Sequence, residues 1–243
     1  MPLSAPSPLS IQVSRLTKSY GSHQALRGVD LTVKTGERVA LFGPNGAGKT
    51  TLMKILATIS KPTSGGVLVE GVDLKDKPEA VRRRIGLVGH GTFLYGHLSA
   101  YENLDFYGRI YDVPRRRERI LQVVEQVEMN PRLHDRVGSL SRGMQQRVSI
   151  ARALLHDPSV MLLDEPETGL DQRSASIVWS ALLGSGSRRR TVIMITHNLE
   201  RGLELSDRIA LLVKGKIAHE TPTAGMSLER LRELYNAHTG AKE

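Results

Sequence analysis

The chain has 243 residues, enough for one large α/β domain or two small ones, and one domain with a lobe is expected. It contains no cysteine, which excludes a disulfide framework, a thiolate metal site and haem attached through cysteine. Its formal net charge of +9 suits nucleic acid, anionic headgroups or an acidic partner, and no apolar run approaches the roughly 18 residues that a membrane-spanning helix needs.

Residues 1–9, rich in Pro and Ser without the basic start and apolar centre of a signal peptide, read as a disordered leader. Residues 11–18 alternate apolar and polar side chains as a half-buried strand should, ending at Tyr20-Gly21, and residues 26–33 form a second strand candidate. A turn at 35–37 leads into a short apolar run, 38–42, the length of a buried strand. Residues 62–66 read as a break, followed by strands at 67–71 and 85–88. From residue 89 the composition changes. Helical spacing covers 101–110, 115–129 and 142–155, with Pro114 and Pro131 as breakers, so residues 91–157 read as a helical insert. Strands resume at 160–163, 191–196 and 209–213, with a helix over 174–183 and an amphipathic tail helix over 227–238. Near-continuous apolar runs separated by helices predict a parallel sheet covered on both faces.

Gly43-Pro44-Asn45-Gly46-Ala47-Gly48-Lys49-Thr50-Thr51 lies between the 38–42 strand and a run with helical spacing, Leu52, Met53, Ile55, Leu56 and Ile59. Glycines let backbone N–H groups wrap phosphate oxygens, and the helix that starts there points its positive end at the same anion. Lys49 adds charge for terminal phosphates, Thr50 a hydroxyl for Mg2+, and Thr51 one for a phosphate nearer the base. A second constellation ends the strand at 160–163, where Asp164 and Glu165 stand side by side. Ligands of a parallel sheet sit beyond the carboxyl ends of its strands, so Asp164 is expected to hold Mg2+ and Glu165 to polarise the attacking water. His197 ends another apolar strand and is read as a phosphate contact or a bridge to Glu165. Ser141 is a natural cap for the helix that follows it, which buries Val148, Ile150, Ala151 and Leu154 and is expected to expose Gln146, Arg147 and Arg152. The basic excess clusters at 82–84, 115–119 and 188–190, which read chiefly as solvated faces and loops.

In this order the residues closely resemble the nucleotide-binding subunit of ATP-binding cassette (ABC) transporters over residues 11–220. The resemblance places Tyr20 where that family stacks adenine, the Walker A loop at 43–51, the signature motif at 140–145, Walker B at Asp164 and Glu165, the D-loop at Gly169-Leu170-Asp171, and the switch histidine at His197. It implies a P-loop NTPase core with a mostly parallel sheet, an N-terminal antiparallel β subdomain and a helical insert, spanning 10–222 with a helical tail at 223–243. It also implies ATP and Mg2+ as cofactors, and a head-to-tail homodimer in which Ser141 and Gly143 of one copy touch the phosphate held by Lys49 of the other. Permease subunits would anchor the protein at the cytoplasmic face of the membrane, and no nucleic acid is expected.

Two departures stand out. Arg142 and Met144 replace a glycine and the glutamine of the usual Leu-Ser-Gly-Gly-Gln, while Ser141 and Gly143 keep the phosphate contacts. His90 stands where the family has a glutamine that touches Mg2+ and relays to the membrane partner. The runs 86–90 and 98–104 resemble the ATPase subunit of the haem exporter of cytochrome c maturation. Exporters of drugs, polysaccharides or antibiotics share much of this pattern, and the net charge is the one feature that suits a soluble ABC ATPase acting on nucleic acid or the ribosome.

Overall fold

The computed structural model describes residues 8–89, 91–183 and 189–240. The chain divides into two compact units, Met1–Arg82 with Arg190–Glu243, and Arg83–Arg189.

In the first unit, β1 (Leu9–Tyr20) and β2 (His23–Lys34) pair antiparallel, and β4 (Ser64–Val69) and β5 (Val72–Asp73) extend the sheet in the order β2-β1-β4-β5. Strand alternation alone would turn Leu16 outward, since Ile11 and Val13 point inward. A bulge corrects this: Ser14 and Arg15 are both exposed, Arg15 adopts φ 46, and Leu16 returns to the core fully buried. The expected leader is shorter than 1–9 at its described end, because Leu9 already belongs to β1 and the Pro8 carbonyl accepts from Thr35 N at 2.9 Å. The break expected at 62–66 likewise gives way to strand from Ser64, since Ser64 and Gly66 pair with Thr17 and Ser14.

The same unit carries four further strands in the order β10-β9-β3-β8. β3 (Arg38–Phe42), β8 (Thr191–Ile195) and β9 (Arg208–Val213) run parallel, and their continuous apolar runs are buried nearly throughout. β10 (Lys216–Pro222) returns antiparallel through a turn in which Lys214 and Gly215 both take positive φ, as a tight hairpin requires. Helix α1 (Lys49–Leu56) follows β3, and α2 (Pro78–Arg82), α7 (Leu199–Leu205) and α8 (Leu228–Thr239) complete the unit. Ser227 caps α8 by accepting from Arg230 N, and Gly240 ends it in the left-handed conformation.

The second unit pairs β6 (Ile85–Val88) parallel with β7 (Val160–Asp164), and contains α3 (Ala100–Ile110), α4 (Arg116–Gln126), α5 (Arg142–Leu154) and α6 (Gln172–Leu183). Ser99 and Glu102 form a reciprocal capping box at the start of α3, and that hydrogen bonding holds the Glu102 carboxyl below its usual range. Arg115 takes φ 45 and starts α4 one residue later than its apolar spacing predicts. Leu104, Ile120, Val123, Val124, Ile150 and Leu154 are buried, and Asn103 is fully enclosed with its amide bonded to Tyr95 and Ser99. The arginine runs serve the fold as well as solubility. Arg83 pairs with Asp112 at 2.7 Å, Arg116 pairs with Asp105, and Arg119 donates to the Leu154 and Leu155 carbonyls at the end of α5. Among the described residues no helix is long and apolar enough to cross a membrane.

Candidate functional site

In the first unit the loop between β3 and α1 is shaped by glycines that no other residue could replace. A Cβ on Gly43 would fall 2.0 Å from the Leu212 carbonyl oxygen, and one on Gly48 would fall 2.6 Å from that of Ala25, with both residues at positive φ. No side chain caps α1 at Gly48 and its first turn holds no acid, so the helix presents its positive end to the loop. Lys49 is 8% exposed, and its ammonium folds back onto the Gly43 and Pro44 carbonyls at 2.6 and 3.0 Å. This cradle of small residues, with a lysine arched over it, has the shape and charge to hold a phosphate chain.

His197 lies two residues beyond β8, the parallel neighbour of β3, so the loop and the histidine leave the same edge of the four-stranded sheet. There Asn198 caps α7 by accepting from Arg201 N at 2.9 Å. Tyr20, at the end of β1, is half exposed, with the Lys18 ammonium 4.9 Å from its ring centroid.

In the second unit β7 is buried along its whole length and ends at Asp164, which is 6% exposed. The next residue, Glu165, adopts φ 54, a conformation that L side chains seldom take and that costs on the order of 1–3 kcal/mol. It is held by a turn in which Thr168 N and Thr168 Oγ1 both donate to Glu165, the hydroxyl to Oε2 at 3.1 Å. Sequence reasoning placed the two carboxylates at a strand end but carried no signal of this backbone state. β6 ends beside them, since a Cβ on Gly89 would meet the Asp164 Cβ at 4.0 Å. His90, the next residue, lies outside the described residues.

Ser141 caps α5 by accepting from Met144 N, and Gly143 leaves room for Leu170, whose Cδ2 would lie 3.3 Å from an added Cβ. Gly169 in turn faces the Arg142 side chain. The structure therefore sets the signature segment against the 169–171 segment. Asp171 accepts from Ser174 N at 2.7 Å, and this backbone bond, with a second from the Ser174 hydroxyl, holds its carboxyl below the usual range.

Two residues expected on the exposed face of α5 are buried instead. Gln146 donates to the Pro166 carbonyl at 3.1 Å, which ties the start of α5 to the turn after Glu165. Arg152 is 8% exposed, donates to the Leu87 carbonyl at 2.8 Å and lies 5.3 Å from both the Phe93 and Tyr107 ring centroids. The helix has no fully solvated face because its polar side chains find carbonyl and aromatic partners inside the unit. Phe93, Tyr95 and Phe106 are exposed, with Tyr95 and Phe106 in edge contact at 5.3 Å.

Thr50 in the first unit and Asp164 in the second each carry a hard oxygen of the kind that Mg2+ prefers. Residues 26–168 match the family model described as ABC transporter. The ABC transporter ATP-binding protein NatA of Bacillus subtilis is 38% identical over 199 residues, 81% of either chain. The Nod factor export ATP-binding protein I of Rhizobium meliloti is 36% identical over 217 residues, 88% of this chain and just under two thirds, 65%, of that protein. A structure described as the dimeric post-hydrolysis state of the ATP-binding cassette MJ0796, bound to ADP and Pi, superposes with a TM-score of 0.81 at 30% identity, covering 89% of this chain and all of that one. The architecture is accordingly the ABC ATPase fold, with its mostly parallel sheet and antiparallel β subdomain. This chain belongs to the ABC transporter family, as an ATP-binding subunit.

Proposed function

We propose that this chain is the ATP-hydrolysing, energy-coupling subunit of a membrane exporter, working as a head-to-tail homodimer on separate permease subunits at the cytoplasmic face of the membrane. The observation that carries the reading is the phosphate cradle, in which Gly43 and Gly48 admit no side chain and Lys49 arches over the loop. In this reading Tyr20 stacks on adenine, the 43–51 loop binds the phosphates, and Lys49 and His197 hold the terminal one. Glu165 polarises the attacking water, with one carboxylate oxygen bonded by the Thr168 hydroxyl. Thr50, Asp164 and His90 would hold Mg2+, which neutralises phosphate charge when bound. Ser141 and Gly143 come from the second copy, and Asp171 orders the segment against which they pack. The exposed Phe93, Tyr95 and Phe106 suit an apolar segment of the permease.

Haem for cytochrome c maturation is the cargo to test first, on the strength of the runs 86–90 and 98–104. A different exported cargo is the second reading, favoured by the similarity to a Nod factor export protein. The chain purified with its membrane partner and placed in sealed vesicles, ATP side outward, tests both. Haem accumulation inside that depends on ATP supports the first cargo, and ATP hydrolysis without haem movement supports the second. Absence of ATP hydrolysis in the reconstituted complex overturns the proposal.

A further inference from the structure

A second basic feature of the first unit lies among β1, β2, β4 and the start of β10. It is an open depression of about 870 Å³, lined by Arg15, Arg27 and Lys216 with the hydroxyls of Ser14, Thr17 and Ser64. No carboxylate lines it, and none of the three cations forms an ion pair among the described residues. Asp30, the acid that accepts the Arg15 N–H at 2.8 Å, is not part of the lining. The phosphate loop contributes nothing to it either.

The depression is a product of the bulge that re-phases β1. That bulge sends Ser14 and Arg15 outward in succession, and Arg15 is held at φ 46. Across from it β4 closes only because Gly65 has no side chain, since a Cβ there would fall 2.5 Å from the Arg15 carbonyl oxygen. Gly28 and Gly66 lack side chains as well, and a Cβ on either would meet nothing within 4 Å, so the floor stays low while longer cationic side chains surround it. The Thr17 and Ser64 hydroxyls are bonded to each other at 2.7 Å, and whichever of the two accepts in that bond keeps its own proton to donate to an oxygen of a ligand. Three cations at one concavity repel one another, and an anion relieves that repulsion. Guanidinium groups also match phosphate oxygens in a planar, two-point geometry.

We infer that this depression is a second anion site, which binds a phosphate-bearing ligand through Arg15, Arg27 and Lys216. A free oligophosphate and the headgroup of an anionic lipid offer the same chemistry. The test uses the full chain with excess MgADP and free Mg2+, so that the phosphate loop is occupied. One arm titrates inorganic tripolyphosphate, and the other measures binding to phosphatidylcholine vesicles containing about 20 mol% phosphatidylglycerol. Arg15→Ala/Arg27→Ala/Lys216→Ala is compared with Lys75→Ala/Lys77→Ala/Arg232→Ala, which removes the same charge from exposed residues elsewhere, with thermal unfolding recorded for both. The site variant is expected to bind at least about tenfold more weakly in one arm, against less than about twofold for the control. The arm that responds identifies the source. Equal weakening by both variants, or no binding of either probe by the unaltered chain, overturns the inference.

Discussion

Glu165→Gln is expected to lower steady-state ATP hydrolysis by roughly 10²- to 10⁴-fold, the range that a positioned general base contributes. Affinity for ATP should change little, because the substitution leaves the phosphate loop untouched. The amide keeps the size of the carboxylate and an oxygen that can accept the Thr168 hydroxyl, so the turn that holds residue 165 at positive φ survives. What is lost is the negative charge that, in the proposed role, draws a proton from water. Phosphate release measured alongside nucleotide binding separates the two effects. Near-normal turnover in this variant would remove Glu165 from the role of base.

Acid is expected to loosen the second unit through His156, with stability falling as pH drops from about 6.5 toward 4. His156 stacks on Tyr111 at 4.1 Å with the rings nearly parallel, and its Nε2 lies 3.0 Å from the Ile85 carbonyl oxygen. Burial pushes its pKa down to about 4, against the opposing effect of that carbonyl, and the neighbouring Arg152 lowers it further. The folded ring therefore stays neutral over a range in which the unfolded chain takes up a proton. The contribution is fully present above pH 6.5 and declines as pH falls through that value to the folded pKa. The total comes to about 3 kcal/mol by pH 4. Urea unfolding followed by the fluorescence of Trp179, which is 4% exposed in the same unit, gives the measurement. His156→Phe keeps the stacking but cannot titrate, so its stability should decline less between pH 6.5 and 4. Parallel declines for both proteins would contradict the assignment.

The elements that position the candidate residues were legible where pattern and partner coincide. The 38–42 strand, the glycine loop and the helix after it follow from apolar runs and conformational need. The structure returns β3 and β6 with the boundaries read from sequence. β10 was not legible because an edge strand alternates polar residues with half-buried ones and carries no apolar run. The late start of α4 and the positive φ of Glu165 are tertiary effects at residues with no intrinsic preference for that conformation. Arg152 misled for a related reason. Helical spacing assigns a charged side chain to solvent, whereas the Leu87 carbonyl and two aromatic rings, distant in sequence, receive it.

The ordering of Glu102 and Asp171 at helix starts follows the same logic as the candidate phosphate sites. Backbone N–H groups at a helix N-terminus attract negative charge, and in both places a side-chain carboxylate of the protein itself supplies it. The first turn of α1 holds no acid of its own, and the helix points its positive end at the glycine loop. At α5 the cap is the neutral Ser141. The proposal that a second copy brings this cap to the phosphate explains why the signature segment retains Ser141 and Gly143 while Arg142 and Met144 depart from the usual residues.

The mass of Glu165→Gln in solution, measured by light scattering with and without ATP, tests the shared site most directly. Saturating ATP is predicted to convert the variant from one chain to two, and adding Ser141→Arg is predicted to hold it at one chain while ATP still binds. A variant that stays a single chain in ATP, or a dimer that Ser141→Arg leaves intact, would contradict the account.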